Sequence, residues 1–108
     1  MNPTIAALQA LYNRIPRRHT DENIKEINGI ITEYEDVLIE IEAVNTFYEK
    51  QVPAFFDAVE VVKATIKKSM DKKLSKKSKD AFFDEASGAF KDTVKELMQV
   101  YVDGRRTE

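Results

Sequence analysis

The chain contains no cysteine, no tryptophan, one histidine, three glycines and three prolines among its 108 residues. The lack of cysteine excludes disulfides and thiolate metal sites. So few glycines and prolines leave few tight turns, which favours long helices over many short strands. Three scattered glycines also cannot form a phosphate-binding glycine loop. We therefore expect an all-α protein of a size that suits a single helical domain over residues 1–108.

Long apolar runs are missing as well. No stretch approaches the roughly 18 to 20 residues of a membrane-spanning helix. The N-terminal segment has no basic region ahead of its apolar residues, so it does not match a signal peptide. We expect a small, slightly acidic protein that is cytoplasmic and has no membrane span.

Catalytic patterns are absent too. The only histidine, His19, lies in the polar stretch "RRHTDE", and no nucleophile motif accompanies it. Acidic residues recur at helical spacing, but they lack the Glu-x-x-His pairs of di-metal bundles. We predict a solvent-exposed linker histidine, a solvated acidic face, no cofactor, no metal site and no enzymatic activity.

The spacing of apolar residues predicts an antiparallel bundle of about four helices. Asn2 and Thr20 are suitable N-caps, and Pro16 should end the first helix. Ser75 or Ser78 should cap the last helix, and Gly104 suits a C-cap. The predicted helices span residues 3–15, 20–50, 53–71 and 78–102.

The second helix carries a coiled-coil-like heptad seam, in which apolar residues alternate at steps of three and four. The seam is a candidate for the core of one chain or for the contact between two copies. Asn45 interrupts it, and either fixes the register of an oligomer or marks the place where the helix ends. The seam residues are Ile24, Ile27, Ile31, Tyr34, Leu38 and Ile41.

The apolar register continues past Pro53, which two structures explain. One is a single long helix that is kinked at Pro53, and the other is a helical hairpin with its turn near residues 50–52. Residues 21–60 carry a net charge of −9 and residues 61–79 carry +7. The hairpin brings these segments together, so we favour it. The acids expected to lie beside Lys63, Lys67 and Lys68 are Glu33, Asp36 and Glu40.

A lysine-rich connector, residues 67–79, precedes the last helix in the stretch "KKSMDKKLSKKSKD". Its lysines either pair with the acids of the preceding segment or bind a polyanion through salt-dependent phosphate contacts. Phe82 and Phe83 follow the cluster rather than interleave with it, and the cluster lacks arginine, so base recognition is weakly supported. The polyanion candidates are Lys67, Lys68, Lys72, Lys73, Lys76, Lys77 and Lys79.

Three functions are compatible with these patterns. The first is a non-catalytic protein-interaction module, a homo-oligomer or a binder of another protein, with Phe47 and Phe56 as an exposed partner site. The second is a nucleic-acid-binding accessory protein that uses the lysine cluster. The order of a short helix, a long helix, a proline-started helix and a lysine-rich link also resembles small four-helix bacteriocin-immunity proteins. Phage and mobile-element accessory proteins have similar layouts, so the resemblance implies an antagonist or accessory role.

Overall fold

Four α-helices and no strand make up the computed structural model, which describes residues 2–106. The predicted all-α class is confirmed. Consecutive helices are joined by short connections, so α2 and α3 run antiparallel, as do α3 and α4. α1 completes the bundle by packing against both α2 and α4. The helices are α1 (Pro3–Arg14), α2 (Asp21–Glu42), α3 (Thr46–Ser69) and α4 (Lys76–Arg106).

The first two helices begin at the predicted caps. The Asn2 side chain accepts the amide of Thr4 at 2.9 Å, and Thr20 accepts the amide of Asn23 at 3.0 Å. Beyond α1, the Ser87 hydroxyl donates to the Pro16 carbonyl at 2.7 Å. This bond fastens the link between α1 and α2 to the side of α4.

The boundary between α2 and α3 lies at residues 43–45 instead of the predicted 50–53. The Asn45 side chain accepts the Tyr48 amide at 2.9 Å and caps α3. Pro53 lies inside α3 on its exposed face, where the missing amide hydrogen bond can be replaced by water. An asparagine N-cap therefore decides the boundary, and the proline does not.

This boundary also resolves the two alternatives for the long register. The chain forms a hairpin. The apolar register continues across Pro53 because Tyr48, Val52 and Phe55 belong to one helix. The second helix is accordingly shorter than predicted, with 22 residues. Asn45 marks the end of the seam.

The last helix is longer than predicted at both ends, since it spans Lys76–Arg106 instead of residues 78–102. Ser75 is its N-cap, since its hydroxyl accepts the Ser78 amide at 3.1 Å. Gly104 is not a C-cap, because it lies within α4. A Cβ atom at Gly104 would overlap the ring of Tyr48, so the glycine allows close approach of α3 and α4.

One apolar core draws residues from all four helices. At its centre, Tyr34 of α2 meets Phe90 of α4 edge to face, with ring centroids 5.3 Å apart. Burial raises the pKa of the Tyr34 phenol, whose hydroxyl has no hydrogen-bond partner among the described residues. Within residues 2–106, no helix combines the length and the apolar content needed to cross a membrane.

Candidate functional site

The seven lysines of residues 67–79 lie at one end of the bundle. The molecule measures 50 × 25 × 17 Å. The 31 residues of α4 span about 46 Å at 1.5 Å per residue, so α4 runs almost the full length and begins at one tip. The connector between α3 and α4 and the link between α1 and α2 share this end. We call the surface formed by the seven lysines the lysine tip.

Most of the tip lysines have no acidic partner among the described residues. Lys76 pairs with Asp80 at 3.3 Å, and it is the only one of the seven in an ion pair there. Lys68 places its ammonium group 5.9 Å from the centroid of the Phe82 ring. Six of the seven side chains are exposed, and Lys79 is half-buried. The tip is therefore a solvent-exposed surface with an excess of positive charge, and Asp21 lies beside Lys72 and Lys79 at its edge.

The start of α4 adds to this positive potential. A helix N-terminus carries a partial positive charge and favours acids in its first turn. The first turn of α4 contains no acid and instead bears Lys76 and Lys77, with Lys79 directly after them. Segment 67–80 as a whole carries seven lysines and two aspartates, a net charge of +5. The helix dipole and the lysine side chains thus both make the electrostatic potential at this end more positive.

None of the predicted pairs of Lys63, Lys67 and Lys68 with Glu33, Asp36 and Glu40 forms among the described residues, and the one contact between a lysine of α3 and an acid of α2 uses Glu35. Lys63 donates to Glu35 at 2.8 Å and to Glu60 at 3.1 Å. The hydrogen bond to Glu35 raises the pKa of the Lys63 ammonium group above its usual value. Glu33, an expected partner of the lysines, is instead bound by Arg14 at 3.0 Å.

The position of the α2–α3 turn explains why Lys67 and Lys68 have no acidic partner among the described residues. A turn at residues 43–45 rather than 50–52 places the end of α3 beside the beginning of α2. There Met70 lines a groove with Asp21 and Ile24, far along α2 from Asp36 and Glu40. The acids that would have neutralised these lysines lie elsewhere on the bundle.

The link between α1 and α2 contributes further basic residues next to the tip. Arg17 is bound by Asp84 at 2.8 Å. His19 is not the solvent-exposed residue that the sequence predicts: its side chain is 15% exposed, with Nδ1 3.7 Å from Asp80. Its ring meets Phe83 edge to face, because the link is folded against α4. An open groove of about 750 Å³ lies here, lined by Arg17, Arg18, His19, Thr20, Lys76, Asp80 and Asp84.

The heptad seam of α2 forms the core of one chain. All six seam side chains are at most 8% exposed, so they do not present a surface to a second copy in this structure. They are Ile24, Ile27, Ile31, Tyr34, Leu38 and Ile41.

The predicted partner site at Phe47 and Phe56 is half-buried and packs against the core. The two residues are nine positions apart, which turns a helix by about two and a half turns. They flank opposite sides of the buried stripe of α3 and do not form one patch. The large apolar side chains that are exposed are Ile39, Val44, Val61 and Met70.

Sequence reasoning identified the lysines of the tip but missed the contribution of the α1–α2 link. The basic run "RRH" at residues 17–19 was the available signal. Among residues 2–106, no three His, Cys, Asp or Glu side chains are grouped so that they could hold a metal ion. Comparison with protein-family models, with curated proteins and with solved structures found no match.

Proposed function

We propose that the protein is a non-catalytic binding protein that holds a nucleic acid through the phosphate contacts of its lysine tip. The observation that carries the proposal is that six of the seven lysines have no carboxylate partner in the part of the chain that is described. Flexible ammonium groups in water suit phosphates, which they neutralise with release of counterions. A cytoplasmic location, where nucleic acid is present, belongs to the same proposal.

The position of the lysines supports a binding role over a structural one. Lysines in the first turn of a helix are electrostatically unfavourable, and in α4 only Lys76 is offset by an acid, Asp80 in the next turn. The core begins only at Phe83, so the lysines contribute little to packing. Residues that oppose local stability without structural compensation tend to occur at functional sites.

Salt dependence of binding tests the proposal. We expect a fluorescently labelled duplex of about 24 base pairs to bind at about 50 mM salt and to dissociate as salt rises. Six phosphate contacts would give a slope of log K against log salt no steeper than about −5. The triple substitution Lys72→Gln, Lys73→Gln and Lys77→Gln should make that slope shallower by roughly 2 to 3.

A matched triple substitution away from the tip controls for overall charge. Lys50, Lys91 and Lys95 lie in α3 and α4 beyond the tip, and their change to Gln removes the same charge. This variant should keep the slope of the unmodified chain. Absence of duplex binding at about 50 mM salt, or equal loss in both triple variants, would contradict the proposal.

Protein binding with self-association is the second candidate. Two large apolar residues near the α2–α3 turn, Ile39 and Val44, are 57% and 58% exposed, which favours a contact at that end. Light scattering over a range of concentrations should then show a dimer that Ile39→Glu and Val44→Glu dissociate. A monomer at every concentration would remove this candidate. The resemblance to bacteriocin-immunity proteins stays a prediction from the helix order.

A further inference from the structure

The lysine tip also indicates which form of nucleic acid it suits, an inference that rests on the proposed function. Single strands are usually held by aromatic rings on which their bases stack. At the tip, Phe83 is fully buried and Phe82 is half-buried, with the Lys68 ammonium group over its ring. The His19 ring is turned inward against Phe83. Phe83 and His19 therefore offer no free stacking face, and one face of the partly buried Phe82 ring lies under Lys68.

The density of charge at the tip also favours a duplex over a single strand. The molecule is 25 Å across in its second dimension, which sets an upper bound on the width of the tip. Over that length a duplex presents about 15 phosphates, whereas one strand with the same rise presents about 7. Six unpaired lysines that project from α3, the connector and α4 therefore meet more phosphates on a duplex. Asp71 is the only acid of the connector, and its carboxylate accepts the Lys73 amide at 2.9 Å.

The chemistry of the tip also limits what it can read. Lysine contacts phosphates as a point charge, whereas bidentate recognition of a base edge is typical of arginine, asparagine and glutamine. Residues 67–79 contain no arginine, asparagine or glutamine. Two arginines border the tip. Arg17 is already bound to Asp84 by both Nε and a terminal nitrogen, at 3.2 and 2.8 Å, which leaves Arg18 as the one exposed arginine beside the lysines.

We infer that the ligand of the lysine tip is double-stranded nucleic acid, bound across its phosphate backbone without sequence preference. At 3.4 Å per base pair, a contact of at most 25 Å covers no more than about 7 base pairs. The long axis of the bundle then points away from the duplex, which leaves the opposite end free.

Competition among matched ligands tests this inference. A labelled duplex of about 24 base pairs is titrated with the protein at about 50 mM salt, beside its own single strand and a duplex of scrambled sequence. We expect the duplex to bind several-fold more tightly than the single strand, and the scrambled duplex to bind equally. Duplexes of about 8 base pairs should retain the affinity per site, because they span the contact.

The outcomes separate the inference from the proposed function. Tighter binding of the single strand, or a tenfold difference between the two duplexes, would overturn the inference and leave nucleic-acid binding in place. Binding of neither nucleic acid would overturn both. Vesicles that contain about 30% phosphatidylserine serve as a further arm, since lysines also attract anionic lipid surfaces. Binding to these vesicles but not to the duplex would likewise overturn both.

Discussion

The two ends of the bundle are built in different ways. At the turn end, formed by residues 43–48 and 101–104, polar groups are used in packing: the Tyr48 hydroxyl donates to the Tyr101 carbonyl at 2.6 Å. The two rings also pack together, with centroids 5.4 Å apart. At the lysine tip, Lys72, Lys73 and Lys77 are exposed and have no ion pair with any described residue. The side chains of the first end are used in packing, whereas these three lysines of the second end make no ion pair within the described residues.

Among the substitutions that distinguish the two ends, truncation of Tyr48 should reduce the free energy of unfolding most. Tyr48→Ala removes a ring that is 1% exposed, together with the hydrogen bond to Tyr101, so we expect a loss of about 3 to 5 kcal/mol in the free energy of unfolding. Met70→Ala, at the tip, should change it by less than about 0.5 kcal/mol, because Met70 is 52% exposed. Urea unfolding followed by circular dichroism measures both. Similar losses in the two variants would show that the ends do not differ as described.

Substitution of Gly104 should have an intermediate effect. A Cβ atom at this position overlaps the Tyr48 ring, so Gly104→Ala should destabilise the protein by about 1 to 3 kcal/mol despite the better helix propensity of alanine. In the Tyr48→Ala background the overlap is gone, and the same change should be neutral or stabilise by up to about 1 kcal/mol. The double-mutant cycle measures this coupling. Additive effects would mean that Gly104 does not serve close packing.

The sequence predicted the helix class and the residues that form the core stripe, because apolar spacing is set by helix geometry alone. It misplaced the α2–α3 turn, since Pro53 is a visible helix breaker and Asn45 lies within an apolar register. That error carried over to the site. With the turn at residues 50–52, Lys67 and Lys68 faced acids, whereas the observed turn leaves them unpaired.

Two other features of the molecule, one at each end of the bundle, depended on tertiary contacts. The sequence placed Gly104 at a helix end, but its role is to make room for the ring of Tyr48, more than fifty positions earlier in the chain. His19 lies in a polar run and is nevertheless mostly buried, since the link folds against Phe83. Local sequence patterns do not contain either contact. The lysine cluster is contiguous in the sequence, so no tertiary contact is needed to recognise it.

A charge change at Ser75 should have the smallest effect on stability, and it links the tip's stability to its binding. Ser75→Asp keeps a good N-cap and adds a negative charge where the helix dipole and the lysines favour one. We expect a gain of roughly 0.3 to 1 kcal/mol in the free energy of unfolding, which added salt should reduce. Duplex affinity should fall, because the new carboxylate repels phosphates.

Ser75→Asn is the matched control, since asparagine caps as well as serine and carries no charge. It should leave both stability and duplex affinity close to those of the unmodified chain. Opposite changes in stability and affinity that appear only with Asp would show that the lysines destabilise the start of α4 and bind the ligand there. Equal stability of the Asp and Asn variants would instead mean that the tip carries no electrostatic strain, and the contrast between the two ends would then rest on packing alone.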